Sequence, residues 1–365
     1  MSDHYDIAII GAGIVGASLA AELAGKARVL LIEAETMPGY HSTGRSAAFW
    51  HETLGGPLVQ PLTRASYPAL ADGGFLKPRH SLEVAEADTV ATLDSFEANY
   101  RAIGVGLERL DHDGIRRWVP RAKPILVAGV LEKLGADIDV GGLHGAVLGR
   151  FKRTGCNLIT DRRIEAIERT GATWRLAAGD WSVSADIVVN AAGAWADQVA
   201  AMVGARSVGI VPKRRTIAQV RVDGDDVPDT LPLTMDIAGT YYFRPEGPNR
   251  LWLCPHDETP TEPGDAAPEE IDVAMAIDRF ETVTDWRVVA VERKWAGLRS
   301  FAPDRLPVYG FDPGVPGFFW CAGQGGYGIQ TAPAASAMCA ALITGETPGP
   351  IAADIDPAPY SPARF

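Results

Sequence analysis

The chain has 365 residues, 47% of them hydrophobic, and a formal net charge of −12. That length exceeds what one core usually holds and predicts two globular domains. The acidic balance argues against a nucleic-acid footprint or attraction to anionic lipid, since both need clustered Lys and Arg, and the N-terminal residues show neither a signal nor a membrane-insertion pattern, so the cytoplasm is expected.

Tyr5 to Ile10 is an apolar run that feeds into Gly11-Ala12-Gly13-Ile14-Val15-Gly16, with a small-residue helix predicted from Ala17 to Ala24. This order suits a dinucleotide. Gly11 permits the tight turn, Gly13 the close approach of a pyrophosphate and Gly16 the packing of helix on strand, with Ile14 and Val15 in the same turn at the positive helix end. A second strand, Arg28 to Ile32, ends at Glu33, where an acid holds a ribose hydroxyl, and Ala34 follows it. Adenosine without a 2′-phosphate is favoured, and these residues alone leave NAD and FAD both open.

Next comes Met37 to Ala48, a loop of small and hydroxyl residues placed to make a second cradle. Its backbone N–H groups and the hydroxyls of Ser42 and Thr43 would face phosphates, with Arg45 or Ser46 helping and Ala47 and Ala48 at the start of a helix. Residues 85–118 read as surface helices, followed by an amphipathic helix from Val140 to Thr154, a strand from Asn157 and a small β-meander from Ile164 to Val189. The buried strand ending at Asn190 runs into small residues, where Ala192, Gly193 and Trp195 offer another close backbone approach. Residues 211–299 read as a mostly antiparallel sheet with a Pro-rich connection, Pro255 to Pro268, and a helix from Ile271 to Phe280. The chain closes with a strand, Phe318 to Ala322, and a glycine-rich loop carrying Gly325, Gly326, Tyr327, Gly328, Ile329 and Gln330 into a helix from Thr331 to Leu342. Its four cysteines are widely spaced and read as reduced thiols, with no metal site.

Gly11 to Gly16, Glu33 and the run His41-Ser42-Thr43-Gly44-Arg45-Ser46-Ala47-Ala48 together resemble the FAD-dependent D-amino acid oxidase superfamily, nearest to its bacterial D-arginine dehydrogenases. The resemblance implies an α/β fold: an FAD-binding Rossmann-like domain from residues 1–75, 136–210 and 296–365, and an α+β substrate domain on a mostly antiparallel sheet from 76–135 and 211–295. It implies FAD near the glycine loops, an amino acid substrate, and an electron acceptor (oxygen, quinone or a carrier) that the residues do not identify. Arg299 matches the arginine that clamps the substrate carboxylate, and Tyr242 the tyrosine that shares it, with Tyr241 turned into the core. Neighbouring strand residues point to opposite faces, so one arginine of Lys213-Arg214-Arg215 faces the cavity, and alignment favours Arg215. Gly326 and Gln330 would line the flavin edge, and His51 is a candidate proton acceptor.

The chain departs from the D-arginine enzymes at Phe49, His51 and Leu54, where they carry His, Thr and Tyr, and at Ser81, where they carry the glutamate that binds the guanidinium. The expected reaction is therefore hydride transfer from Cα of a D-amino acid with an uncharged side chain to flavin N5. The alternatives are an N-methyl amino acid, sarcosine-type or glycine-type oxidase, a 2-hydroxy acid oxidoreductase of the same fold, an NAD-dependent dehydrogenase, and a flavin-binding assembly or sensor protein without turnover. Gly297 stands where some members carry a flavin-tethering cysteine, so FAD is expected to be non-covalent. Acid precipitation of purified protein should release the flavin to the supernatant; flavin that pellets with the protein would contradict this.

Overall fold

The computed structural model describes residues 4–365 as two eight-stranded sheets and a small three-stranded sheet, flanked by helices. The first sheet has a parallel centre in the order Asn157–Ile159, Val29–Ile32, His4–Ile10, Trp181–Asn190 and Phe318–Ala322. Val29, Leu30, Leu31 and Ile32 are buried without interruption, as in a strand covered on both faces. On one face the helices Ile14–Leu23 and Gly328–Thr344 pack through Ala17, Ala20, Ala335 and Met338. On the other, Trp174, Leu176, Val188 and Trp320 form a second core. The strands Ala166–Thr170 and Thr173–Ala178 extend the sheet as an antiparallel arm, which is the meander expected from the turn residues.

The second sheet runs Val288–Phe301, Val211–Val222, Arg250–Cys254, Tyr242–Pro245, Leu233–Asp236, Ser81–Ala85, Ala128–Glu132 and Leu107–Asp111. Leu233–Asp236 lies parallel to Ser81–Ala85, while the other pairings are antiparallel. This one parallel seam joins two distant stretches of chain. The period of two sorts the residues between faces. Ala218, Val220, Phe243 and Leu253 pack against Phe280 of the helix Glu270–Val283, whereas Ile217, Tyr242, Cys254 and Leu233 share a cluster on the opposite face.

The stretch expected to be helical, 85–118, holds the helices Val90–Ala102 and His112–Trp118, but the strand Leu107–Asp111 lies between them. The spacing Leu-Glu-Arg-Leu matches the helical period, and pairing with Ala128–Glu132 overrides it in favour of strand. The expected division at 295/296 falls inside the continuous strand Val288–Phe301, which stays in the second sheet as far as Phe301.

A buried acidic group sits beside the parallel seam. Met235 separates Tyr242 from Glu83 in one cross-strand row. Burial raises the Glu83 carboxyl to about 8, helped by the charges of Asp236 and Glu132. Burial also raises Glu132 to about 7, although its carboxylate accepts from Glu52 N at 2.7 Å and Thr53 Oγ1 at 2.7 Å. A carboxyl raised in the folded state binds its proton more tightly there than in the unfolded chain. Its contribution to stability is complete below the ordinary value of 4.5 and is lost as pH rises through about 8. Glu83→Gln should therefore stabilise the protein by several kcal/mol more at pH 9 than at pH 5. Equal shifts at both pH values in thermal melts would refute this origin.

Candidate active site

A cavity of about 310 Å³ opens where His4–Ile10, Val29–Ile32 and Trp181–Asn190 end, the usual ligand position in an open parallel sheet. At its floor Gly11 has φ +103°, and a Cβ there would lie 2.4 Å from the Ala191 carbonyl oxygen. A Cβ at Gly16 would lie 1.9 Å from the Gly11 carbonyl oxygen, so Gly16 serves the packing of helix on turn and does not itself line the cavity. Gly13, Ile14 and Val15 do line it, with Thr43 Oγ1 accepting from Ile14 N at 3.0 Å. Glu33 is held at the strand end by Ala12 N at 2.9 Å and Glu35 N at 3.0 Å, with Ala34 beside it. Ala192, Gly193 and Trp195 form part of the facing wall. A glycine turn open to close approach, a helix N-terminus and an acid at the ribose position fit an adenine dinucleotide.

The second loop is built differently from the expectation. Thr43 stands at the helix end, and Ser46 and Ala47 line the cavity. Ser42 Oγ instead donates to the Leu298 carbonyl at 2.7 Å, and Arg45 pairs with Asp265 while donating to the Ala266 carbonyl at 2.9 Å. Both side chains line the cavity, yet their donors tie the loop to the second sheet and the Pro-rich connection. Of the final glycine loop, Gly325, Gly326, Gly328 and Ile329 reach the cavity. Tyr327 does not; it packs with Phe301 and Val59 and its hydroxyl donates to the Arg305 carbonyl. Gln330 is also turned away, donating to Thr63 Oγ1 at 2.9 Å and accepting from His51 N. Ala48 is likewise outside the lining, its carbonyl accepting from Ile138 N.

Sequence reasoning missed Glu35, His41, Arg162 and Arg163, which line the adenosine end. His41 Nε2 lies 3.0 Å from Glu35 Oε1, Arg163 donates to the same oxygen at 3.1 Å, and the His41 ring is 4.7 Å from that of Trp195. The available signal was positional. Arg162 and Arg163 follow Asn157–Ile159, the strand beside the one that ends at Glu33.

At the other end, the second sheet supplies Arg215, Tyr242 and Arg299. The register pairs Lys213 with Arg299 and Arg215 with Gly297, making the two arginines diagonal neighbours across the strands. Arg215 donates from Nε to the Asp257 carbonyl at 2.9 Å and from Nη2 to Glu258 at 3.2 Å, and its buried Nη1 has no partner. Arg299 forms no hydrogen bond or ion pair with a described residue, and burial and then the charge of Arg215 lower its pKa. Arg214 points the opposite way, to Glu269 and Asp272. Tyr242 lies directly across the strands from Cys254, and burial holds the phenol above its ordinary value. Tyr241 lies in the opposite core, its ring stacked 6.3 Å from that of Phe243. Glu258 joins Arg305 at 2.7 Å, Lys213 at 2.9 Å and Arg215, and chiefly the Arg305 hydrogen bond keeps its carboxyl well below the usual range. A guanidinium without an ion-pair partner beside a second one with a free donor is suited to a carboxylate ligand.

His51 is not brought to this site. It is buried outside the cavity, Nδ1 lies 3.0 Å from Thr53 Oγ1, and burial lowers its pKa to about 3. So weak and distant a base does not suit the role of proton acceptor. Its neighbour Glu52 is taken up by Gln60 and by Arg64 at 2.6 Å.

A Cβ at Gly326 would lie 2.7 Å from Arg299 Nη1. Gly326→Ala should therefore move the guanidinium and weaken binding of a carboxylate ligand about tenfold without loss of the dinucleotide, because misplacement of a charged fork sacrifices its paired geometry. Titration of acetate against the cofactor absorbance would show it, and unchanged acetate affinity would refute it.

A family model described as FAD dependent oxidoreductase (DAO) matches residues 6–342. The glycine oxidase of Geobacillus kaustophilus is 27% identical over 365 residues, covering 94% of this chain and 94% of that one. Human mitochondrial dimethylglycine dehydrogenase is 26% identical over 363 residues, covering 90% of this chain and 41% of that one. The crystal structure of the Geobacillus glycine oxidase matches with a TM-score of 0.86 and 25% identity over 100% of both chains. The match over almost the full length, on a fold with a cavity suited to the dinucleotide, establishes that the chain belongs to the DAO family of FAD dependent oxidoreductases and that FAD is its cofactor.

Proposed function

We propose that this enzyme oxidises the C–N bond of a small α-amino acid, of the glycine or N-alkylglycine type, with its carboxylate held by Arg299, Arg215 and Tyr242. The observation that carries this reading is Arg299, a guanidinium facing the cavity with no hydrogen bond or ion pair to a described residue. A substrate carboxylate would supply that partner and also meet the free Nη1 of Arg215. Beside the arginines the cavity is walled by Ala47, Ile217 and Tyr242, and the same apolar cluster includes Phe49 and Leu233. Such a wall favours a substrate with little or no charged side chain. The relatives include glycine oxidases and dimethylglycine dehydrogenases, which supports the glycine-type alternative over the D-arginine resemblance. A D-amino acid with an uncharged side chain remains the second reading, favoured by the apolar character of that wall.

Bound FAD supplies a hydride acceptor. The protein's part is to fix the carboxylate so that Cα is presented to the cofactor, and to keep the wall behind the substrate dry. The lining acids, Glu33 and Glu35, lie at the adenosine end, and His51 is outside the cavity. The amine is therefore expected to enter neutral rather than lose its proton to an enzyme base, so that kcat/KM rises with pH as the free amine becomes available. Anaerobic bleaching of the flavin by glycine, sarcosine, dimethylglycine, D- and L-alanine, D-leucine and D-arginine tests the assignment. Fastest bleaching by glycine or an N-methylglycine is expected; preference for D-arginine, or a kcat/KM profile that levels near the imidazole range, would overturn it.

A further inference from the structure

Behind the carboxylate site stands a histidine that the reaction above does not use. His256 has φ +54°, a left-handed conformation uncommon for a residue with a side chain. Its backbone N–H donates to Cys254 Sγ at 3.3 Å, and Cys254 is the cross-strand partner of Tyr242. The His256 ring meets the Tyr242 ring edge to face, 5.9 Å between centroids at 78°. Gly239 lies against the imidazole from the other side, since a Cβ there would sit 3.4 Å from Nδ1. That nitrogen is buried without a hydrogen-bond partner. A left-handed backbone and an unpaired buried nitrogen are unfavourable features gathered at one position, and they persist only where the surroundings over-determine them. What the position supplies in return is the edge-to-face contact of its ring with Tyr242.

We propose that His256 is a positioning residue for substrate binding, holding the Tyr242 ring by edge-to-face contact, so that the phenol and the two arginines converge on one carboxylate. This rests on the assignment of Arg299, Arg215 and Tyr242 as the carboxylate clamp. Burial, then the charges of Arg215 and Arg299, outweigh the opposing charge of Glu258 and keep the imidazole neutral, so its part is steric and needs no proton. A neutral ring adds no third positive charge to a site that already carries two.

The test uses the FAD-loaded protein and acetate as the probe, read by the change in flavin absorbance. His256→Asn keeps a side chain that tolerates the left-handed backbone but removes the ring, while His256→Phe keeps a ring and removes both nitrogens. His256→Asn should weaken acetate about tenfold and raise KM for the amine by a similar factor with kcat within twofold, the pattern of lost ligand positioning rather than lost chemistry. His256→Phe should recover the greater part of that loss. Flavin content and melting temperature of both variants should match the parent protein, which separates positioning from a folding defect. Wild-type acetate affinity in His256→Asn, or a His256→Phe variant no better than His256→Asn, would overturn the proposal. Arg299→Lys, run alongside, distinguishes the two levels of inference. If it loses acetate while His256→Asn does not, only the role of His256 fails; if Arg299→Lys binds acetate normally, the clamp fails and the role of His256 falls with it.

Discussion

The architecture depends on how closely three backbone segments approach one another at the end of the parallel sheet. Gly16 rests on the Gly11 carbonyl, and Gly11 on Ala191, leaving no room for a single carbon at either position. That contact aims the N-terminus of the helix Ile14–Leu23 at the cavity. It also brings the strand that ends at Asn190 alongside, so that Ala192, Gly193 and Trp195 face the same space as Glu33. The residues that line this end of the cavity are thus gathered by backbone packing, before any side-chain chemistry is considered.

At the other end the governing term is electrostatic. Burying a guanidinium without a counter-charge is unfavourable, and putting a second one on its diagonal increases the penalty. The protein relieves Arg215 through Asp257 and Glu258, both on the Pro-rich connection, and leaves Arg299 exposed to whatever enters the cavity. Glu258 also gathers Lys213 and Arg305, so one carboxylate anchors the connection against three cations. A site arranged in this way discriminates by charge: an anionic group relieves the arginines, and a cation meets repulsion.

Much of the cofactor site was legible in the sequence because backbone geometry dictates residue type there. Gly11, Gly13, Gly16 and Glu33 are required by turn, approach and hydrogen bonding, and those requirements are written in local spacing. The alternation of Tyr241 and Tyr242 likewise told the two faces of a strand apart. What remained hidden depended on contacts between distant segments. Nothing local to Arg45 shows that it turns to Asp265, and nothing local to Gln330 shows that Thr63 will take its amide. His51 misled for the same reason, since its pKa follows from burial, which a sequence position does not reveal. The strand Leu107–Asp111 went unseen because only its partner across the sheet overrides its helical spacing.

The hydrogen bond from Ser42 to the Leu298 carbonyl joins the cofactor loop to the strand that carries Arg299 at the very next residue. A displacement of the loop at Ser42 is therefore carried to the backbone beside Arg299. On the proposed roles of the two ends, free energy spent by a cofactor in moving Ser42 bears on the placement of Arg299, and thermodynamic reciprocity would return the same factor from a bound carboxylate. The enzyme would then hold its cofactor more tightly when substrate is abundant and release it more readily when substrate is scarce.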